Sequence, residues 1–314
     1  MVNRKEFYFP STDGKTNVHA VVWTPDGAPV GVYQIAHGVS EYALRYAPLA
    51  QFLCDKGLVV VANDHLGHGL SVAEGAARLW FAQKDGWWHV VDDMYALRCR
   101  MRAQYPDLPY VLMGHSMGSF LSRSYLIRHP GTVDAAILMG TGQQAPAVVA
   151  LGRLAAKAIG TVHGFDRFSP TVERLAFGAY NKPFAPARTA FDWLSADSGN
   201  VDRYIADPLC GEHATVGLFC DMLGGIGCLC KRANLEKMDR NAPVLFISGE
   251  MDPVGDLGVG VRKAYQSFLD AGMKDVTLRL YPGLRHEILN EAEQAQVRAD
   301  LWAWLSAHVG GLTP

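Results

Sequence analysis

Ser116 lies between two glycines in Gly114-His115-Ser116-Met117-Gly118, a residue type and spacing that serve covalent catalysis. A serine hydroxyl is a weak nucleophile and needs a base beside it. The base needs a partner that fixes its tautomer and stabilises the imidazolium. Two later loops carry the candidates. Gly249-Glu250-Met251-Asp252-Pro253 offers Asp252, with Glu250 as a rival acid; Asp252 is preferred because it is shorter and lies farther out on the loop. Pro282-Gly283-Leu284-Arg285-His286-Glu287 offers His286. Each has a plain alternative: a flexible Gly/Ser turn, a turn aspartate before proline, a surface histidine at a helix entry. Together, as serine, acid and histidine in order, they point to acyl transfer. An oxyanion then needs two fixed donors. The backbone N–H of Met117, next after the serine, is one. The loop His37-Gly38-Val39 supplies the other through the N–H of Val39.

These groups are far apart in sequence, so a scaffold must bring them together. Residues 109–113 form a short apolar run of strand type, and Phe120, Leu121, Tyr125 and Leu126 then recur at helical spacing. Strand, Gly-x-Ser-x-Gly, helix is the setting of a nucleophile elbow. Residues 6–10 and 18–23 read as a hairpin. Residues 30–36, 58–62 and 133–139 read as further strands, with helices over 45–56 and 87–104 between them. The alternation implies a mostly parallel twisted sheet with helices on both faces. It lapses from 143 to 235, where proline-separated helical patterns at 148–159, 172–177, 187–194 and 216–223 suggest an inserted helical cap. It resumes with strands at 244–248 and 276–281 and helices at 257–271 and 291–308. The core is therefore expected in 1–142 and 236–314.

Composition fits this reading. Of 314 residues, 49% are hydrophobic and 19% charged, enough for a large core. The net charge of −2, without a basic block, gives no footprint for nucleic acid. Residues 1–14 lack the apolar stretch of a secretory signal, and the most apolar segment, 215–230, is too short and glycine-rich to span a bilayer. Six scattered cysteines read as small buried thiols in a reducing, cytoplasmic setting. His65-x-x-His68 and Cys228-x-Cys230 lack further ligands at metal spacing, so no metal is expected.

The segments HGVSEYALRY (37–46), NDHLGHGLS (63–71), GHSMGS (114–119), GEMDP (249–253) and YPGLRHEILNE (281–291) resemble the monoacylglycerol lipase and lysophospholipase group of α/β hydrolases. The likeness spans about two thirds of the chain and continues loosely in Tyr204-Ile205-Ala206-Asp207-Pro208-Leu209. It implies the α/β-hydrolase fold, Ser116, Asp252 and His286 as a triad, Val39 and Met117 as oxyanion donors, and no cofactor. It also places Glu41 and Arg45 near the polar end of a substrate, where a local salt bridge is the competing role. The sequence departs from the pattern at Tyr42, often histidine, and at Ser119, often glycine.

The expected activity is hydrolysis of a small-molecule or lipid ester, a monoacylglycerol or lysophospholipid. Rivals are a short-chain carboxylesterase, a proline-type aminopeptidase and a noncatalytic ligand-binding relic of the fold. The apolar residues of 148–159, with Arg153 and Lys157 among them, suit either a lid or transient contact with a membrane surface. Oligomeric state is not legible in the sequence.

Overall fold

The computed structural model describes residues 2–312; Met1 and residues 313–314, which the sequence assigns to the core, lie outside the described residues. The chain opens with β1 (Asn3–Pro10), β2 (Asn17–Thr24) and β3 (Gly31–Ala36). Then come α1 (Ala47–Asp55), β4 (Leu58–Asn63), α2 (Gly86–Gln104), β5 (Tyr110–His115), α3 (Met117–Arg128) and β6 (Ala135–Met139). Five helices follow: α4 (Pro146–His163), α5 (Pro170–Phe177), α6 (Ser198–Ala206), α7 (Val216–Leu229) and α8 (Arg232–Leu235). The chain ends with β7 (Val244–Gly249), α9 (Val259–Asp270), β8 (Val276–Tyr281) and α10 (Gln294–His308).

The strands form one sheet in the order β1-β2-β4-β3-β5-β6-β7-β8. β1 and β2 pair antiparallel, β2 meets β4 antiparallel, and every later pairing is parallel. Strands β3 to β7 are buried along their whole length, which requires cover on both faces. One face packs Ile35, Val60 and Met113 against Leu53 of α1 and Leu301 and Leu305 of α10. The other packs Val32, Val61 and Leu112 against helices α2, α3 and α9 through Met94, Leu121 and Phe268. This is the fold class expected from the sequence. Full burial of each such leucine contributes about 1.5–3 kcal/mol.

The departures lie between β6 and β7. Helix α7 runs on to Leu229, through glycines that look like breakers. A Cβ at Gly225 would fall on the Trp87 indole, so the glycine allows α7 to seat directly on α2. Residues 187–194, expected to be helical, hold only a 3-10 turn at Asp192–Leu194. The Asp192 carboxylate takes the N–H groups of Arg188 and Thr189 and the Thr189 hydroxyl, and these local bonds displace helical ones. Helix α6 was not legible from its short period; the Asp197 side chain caps it by accepting the Gly199 N–H at 2.8 Å.

Candidate active site

Ser116 ends β5 and begins α3 at φ 53°, ψ −121°, a strained left-handed turn for a residue with a side chain. A Cβ at Gly114 would collide with the Gly118 carbonyl, and one at Gly118 with the Ala36 carbonyl of β3. Only glycine at both places lets the turn close against the neighbouring strand. The Ser116 N–H bonds Met139 O at 3.0 Å, and Ser119 Oγ donates to Ser116 O at 2.6 Å, which hold the turn from both sides. Ser119, the departure from the common pattern, thus braces the elbow.

His286 and Asp252 meet. His286 Nδ1 donates to Asp252 Oδ2 at 2.9 Å, both side chains buried, which leaves Nε2 as the free nitrogen. The carboxylate is fixed by Ser248 Oγ at 3.1 Å and the Val254 N–H at 2.9 Å. Glu250 offers the imidazole no bond: its backbone N–H goes to Tyr281 O. Ser116 and His286 line one cavity of 570 Å³ with Val39. Among the described residues, neither the Val39 nor the Met117 N–H has an acceptor in the protein. Gly38 approaches so closely that a Cβ there would sit 3.1 Å from the Ser116 Cβ.

Glu41 lines the Ser116 cavity, Arg45 does not, and the polar atoms of both are largely taken up by other protein groups. Glu41 accepts the Gly38 N–H, Tyr46 Oη at 2.9 Å, His115 Nδ1 at 3.2 Å and Arg45 Nη1 at 2.7 Å. Burial opposes its charge, but the His115 bond and the Arg45 charge outweigh it and hold the carboxyl well below the usual range. Arg45 also grips Glu287 at 2.8 and 3.1 Å and does not line the Ser116 cavity. The geometry fits the salt-bridge role weighed for this pair: Glu41 ties down the Gly38 loop. Burial likewise works against a charged His115, yet Glu41 and Glu287 raise its pKa. The ring lies 4.7 Å from that of His286, and Nε2 faces the His286 carbonyl at 3.3 Å.

The His65–His68 loop packs on His37, whose Nε2 accepts the His65 N–H at 2.9 Å. Burial depresses all three imidazoles, His68 to about 3, so they are neutral packing groups. Among the described residues no cluster could hold a metal ion.

A second cavity of 350 Å³ also opens on Ser116, Val39 and Met117, between α3, α4, α5 and α7. Its walls include Phe120, Val149, Ala156, Val172, Phe219 and Ile226. Trp193 and Phe177 stand between the two spaces and line both.

A family model described as serine aminopeptidase, S33 matches residues 27–293. The chain belongs to this S33 family. Within it, the chain is 31% identical over 312 residues, 98% of each chain, to the monoacylglycerol lipase of Mycolicibacterium smegmatis. It is 29% identical over 288 residues to human monoglyceride lipase, covering 90% of this chain and 85% of that one. Among solved structures, a thermostable carboxyl esterase from Bacillus coagulans in complex with glycerol superposes at TM-score 0.91 with 28% identity, over 98% of this chain and 99% of that one. The S33 member described here is thus an ester hydrolase of the monoacylglycerol-lipase-like group with an α/β-hydrolase fold. Sequence reasoning missed two of its site residues. Trp193, 5.1 Å from the His286 ring, sat inside a misassigned helix. Glu287, which binds Arg45, carried its signal in adjacency to His286 alone.

Proposed function

We infer that this S33 hydrolase cleaves single-chain glycerol esters, monoacylglycerols, through an acyl-enzyme on Ser116. The two cavities that meet at Ser116 carry the inference. The wider one has a mixed polar rim that suits a glycerol or headgroup, and the narrower one is apolar and suits an acyl chain. In this reading His286 Nε2 takes the Ser116 proton as Oγ attacks the ester carbonyl. The Val39 and Met117 N–H groups receive the oxyanion, worth about 10²–10³ in rate per donor. The tetrahedral species collapses, breaking the bond to the alkoxy oxygen, and His286 returns the proton to the departing alcohol. Water, deprotonated by the same imidazole, then attacks the acyl-enzyme and releases the acid. No cofactor enters the sequence.

Residues 143–235 act as the cap of this site. Val148, Leu151 and Leu154 of α4 are exposed, with Arg153 and Lys157 beside Leu154, a face suited to transient contact with a lipid surface. Among the described residues no helix is long and apolar enough to cross a membrane. The aminopeptidase reading loses ground on charge. Such an enzyme needs a free carboxylate for the substrate amine, but every acid lining the Ser116 cavity has a partner. Glu41 and Glu287 hold Arg45, Glu173 holds His213, and Glu212 holds Arg78.

A panel of monoacylglycerols, lysophosphatidylcholine, nitrophenyl butyrate and an amino-acid anilide at equal concentration tests this. The expected order puts a medium- or long-chain monoacylglycerol first in kcat/KM. Preference for the butyrate would reduce the protein to a short-chain esterase, and turnover of the anilide would restore the peptidase.

A further inference from the structure

The loop that carries His286 is held from the cap. The residues immediately before and after the histidine, and a third five positions on, all bind one stretch, residues 192–200. Arg285 Nη1 donates to the carbonyls of Asp192 and Ser195. Glu287 gives its N–H to Leu194 O at 2.7 Å, and its carboxylate accepts Asn200 Nδ2 at 2.8 Å. Glu291, 1% exposed, accepts Ser195 Oγ at 2.7 Å and the N–H groups of Ala196 and Asp197 at 3.0 and 3.2 Å. It also accepts the Arg285 N–H at 3.0 Å, closing the histidine loop on itself. Trp193, at the start of this stretch, lies 5.1 Å from the His286 ring and lines both cavities.

A buried carboxylate is costly unless donors replace its water. Here four donors converge on Glu291, three of them from the cap segment, and Glu291 itself lines neither cavity at Ser116. It touches no substrate space, yet it fixes the segment whose tryptophan packs on the base. We propose that Glu291 is a positioning residue for ester hydrolysis, which sets the orientation of His286 by locking residues 195–197 against the 285–291 loop. Cap and base are then one mechanical unit, and the cap segment belongs to the catalytic apparatus as well as to the pocket wall. This rests on the reading of Ser116, His286 and Asp252 as the triad.

The test is Glu291→Gln, equal in shape but with one acceptor oxygen replaced by a donor that faces the Ala196 and Asp197 N–H groups. Rates on nitrophenyl acetate and on a long-chain ester are divided by the number of sites that a fluorophosphonate labels at completion. The proposal expects kcat per labelled site to fall roughly 10- to 100-fold, as for a slightly misplaced catalytic group. The loss should be equal for both esters, with KM moving less than about twofold. Glu291→Asp should recover part of the rate. Ser195→Ala, which removes one donor, should show a smaller loss of the same kind and serves if Glu291→Gln does not fold. A kcat per labelled site within about twofold of the wild type, with only a lower Tm, would overturn the proposal. So would a loss that appears in KM and grows with acyl length, which would assign Glu291 to the shape of the pocket. Absence of labelling in the wild-type protein would instead overturn the triad itself.

Discussion

At the scale of residues, the site separates groups that react from groups that hold them. His286 is placed to serve as a base because its Nδ1–H is bonded to Asp252, which leaves Nε2 free. Asp252→Asn keeps the shape but can present an N–H to the imidazole, stabilising the wrong tautomer. The expected result is a loss of about 10⁴ in kcat with an unchanged fold by circular dichroism. A loss under tenfold would show that Asp252 is not the acid that orients the base. The three triad candidates could be singled out in the sequence because each follows a strand in a fixed order. Glu41 and Arg45 were legible as residues of interest but not as to role. Their partners, His115 and Glu287, lie 74 and 242 positions away, and only folding brings them together.

At the scale of elements, the strands were easy to read, while the segment between β6 and β7 was legible in its longer helices and not in its shorter elements. A strand buried on both faces carries an unbroken apolar run, as in residues 58–62 and 244–247, and needs no knowledge of its neighbours. The short elements between α5 and α7 are decided by local side-chain bonds: Asp192 undoes a helix and Asp197 starts one. Gly225 of α7 misleads in the same way, since it makes room for Trp87 rather than a turn. The apolar cavity between α4, α5 and α7 should set acyl length. Ala156 of α4 is buried in its wall, so Ala156→Phe fills the far part of the space. The expected outcome is a fall of roughly tenfold or more in kcat/KM for palmitoyl and oleoyl esters, with butyryl esters little changed. Equal loss on all chain lengths would show that the acyl chain runs elsewhere.

At the scale of the whole molecule, the interior stores neutral imidazoles that make stability depend on acid. Burial holds His68 at about 3, while the unfolded chain titrates near the ordinary histidine value of 6.5. Between these limits the unfolded state binds the proton and the folded state does not. Stability is therefore complete above about pH 6.5 and falls as pH drops toward 3, by up to about 1.4 kcal/mol per pH unit for this group. His68→Gln removes the term. Urea midpoints at pH 6.5 and 4.5 should differ less in the variant than in the wild type, and an equal difference would show that His68 is not the group responsible. The same whole-molecule arrangement puts residues 116, 252 and 286 just past the ends of β5, β7 and β8 in one sheet, and the account depends most on their meeting there. Its most direct test is a rapid acid quench during turnover of an oleoyl ester, followed by peptide mass mapping. The account predicts an added oleoyl mass on the peptide that carries Ser116, absent in Ser116→Ala together with turnover. An acyl adduct on another residue, or undiminished turnover by Ser116→Ala, would contradict it.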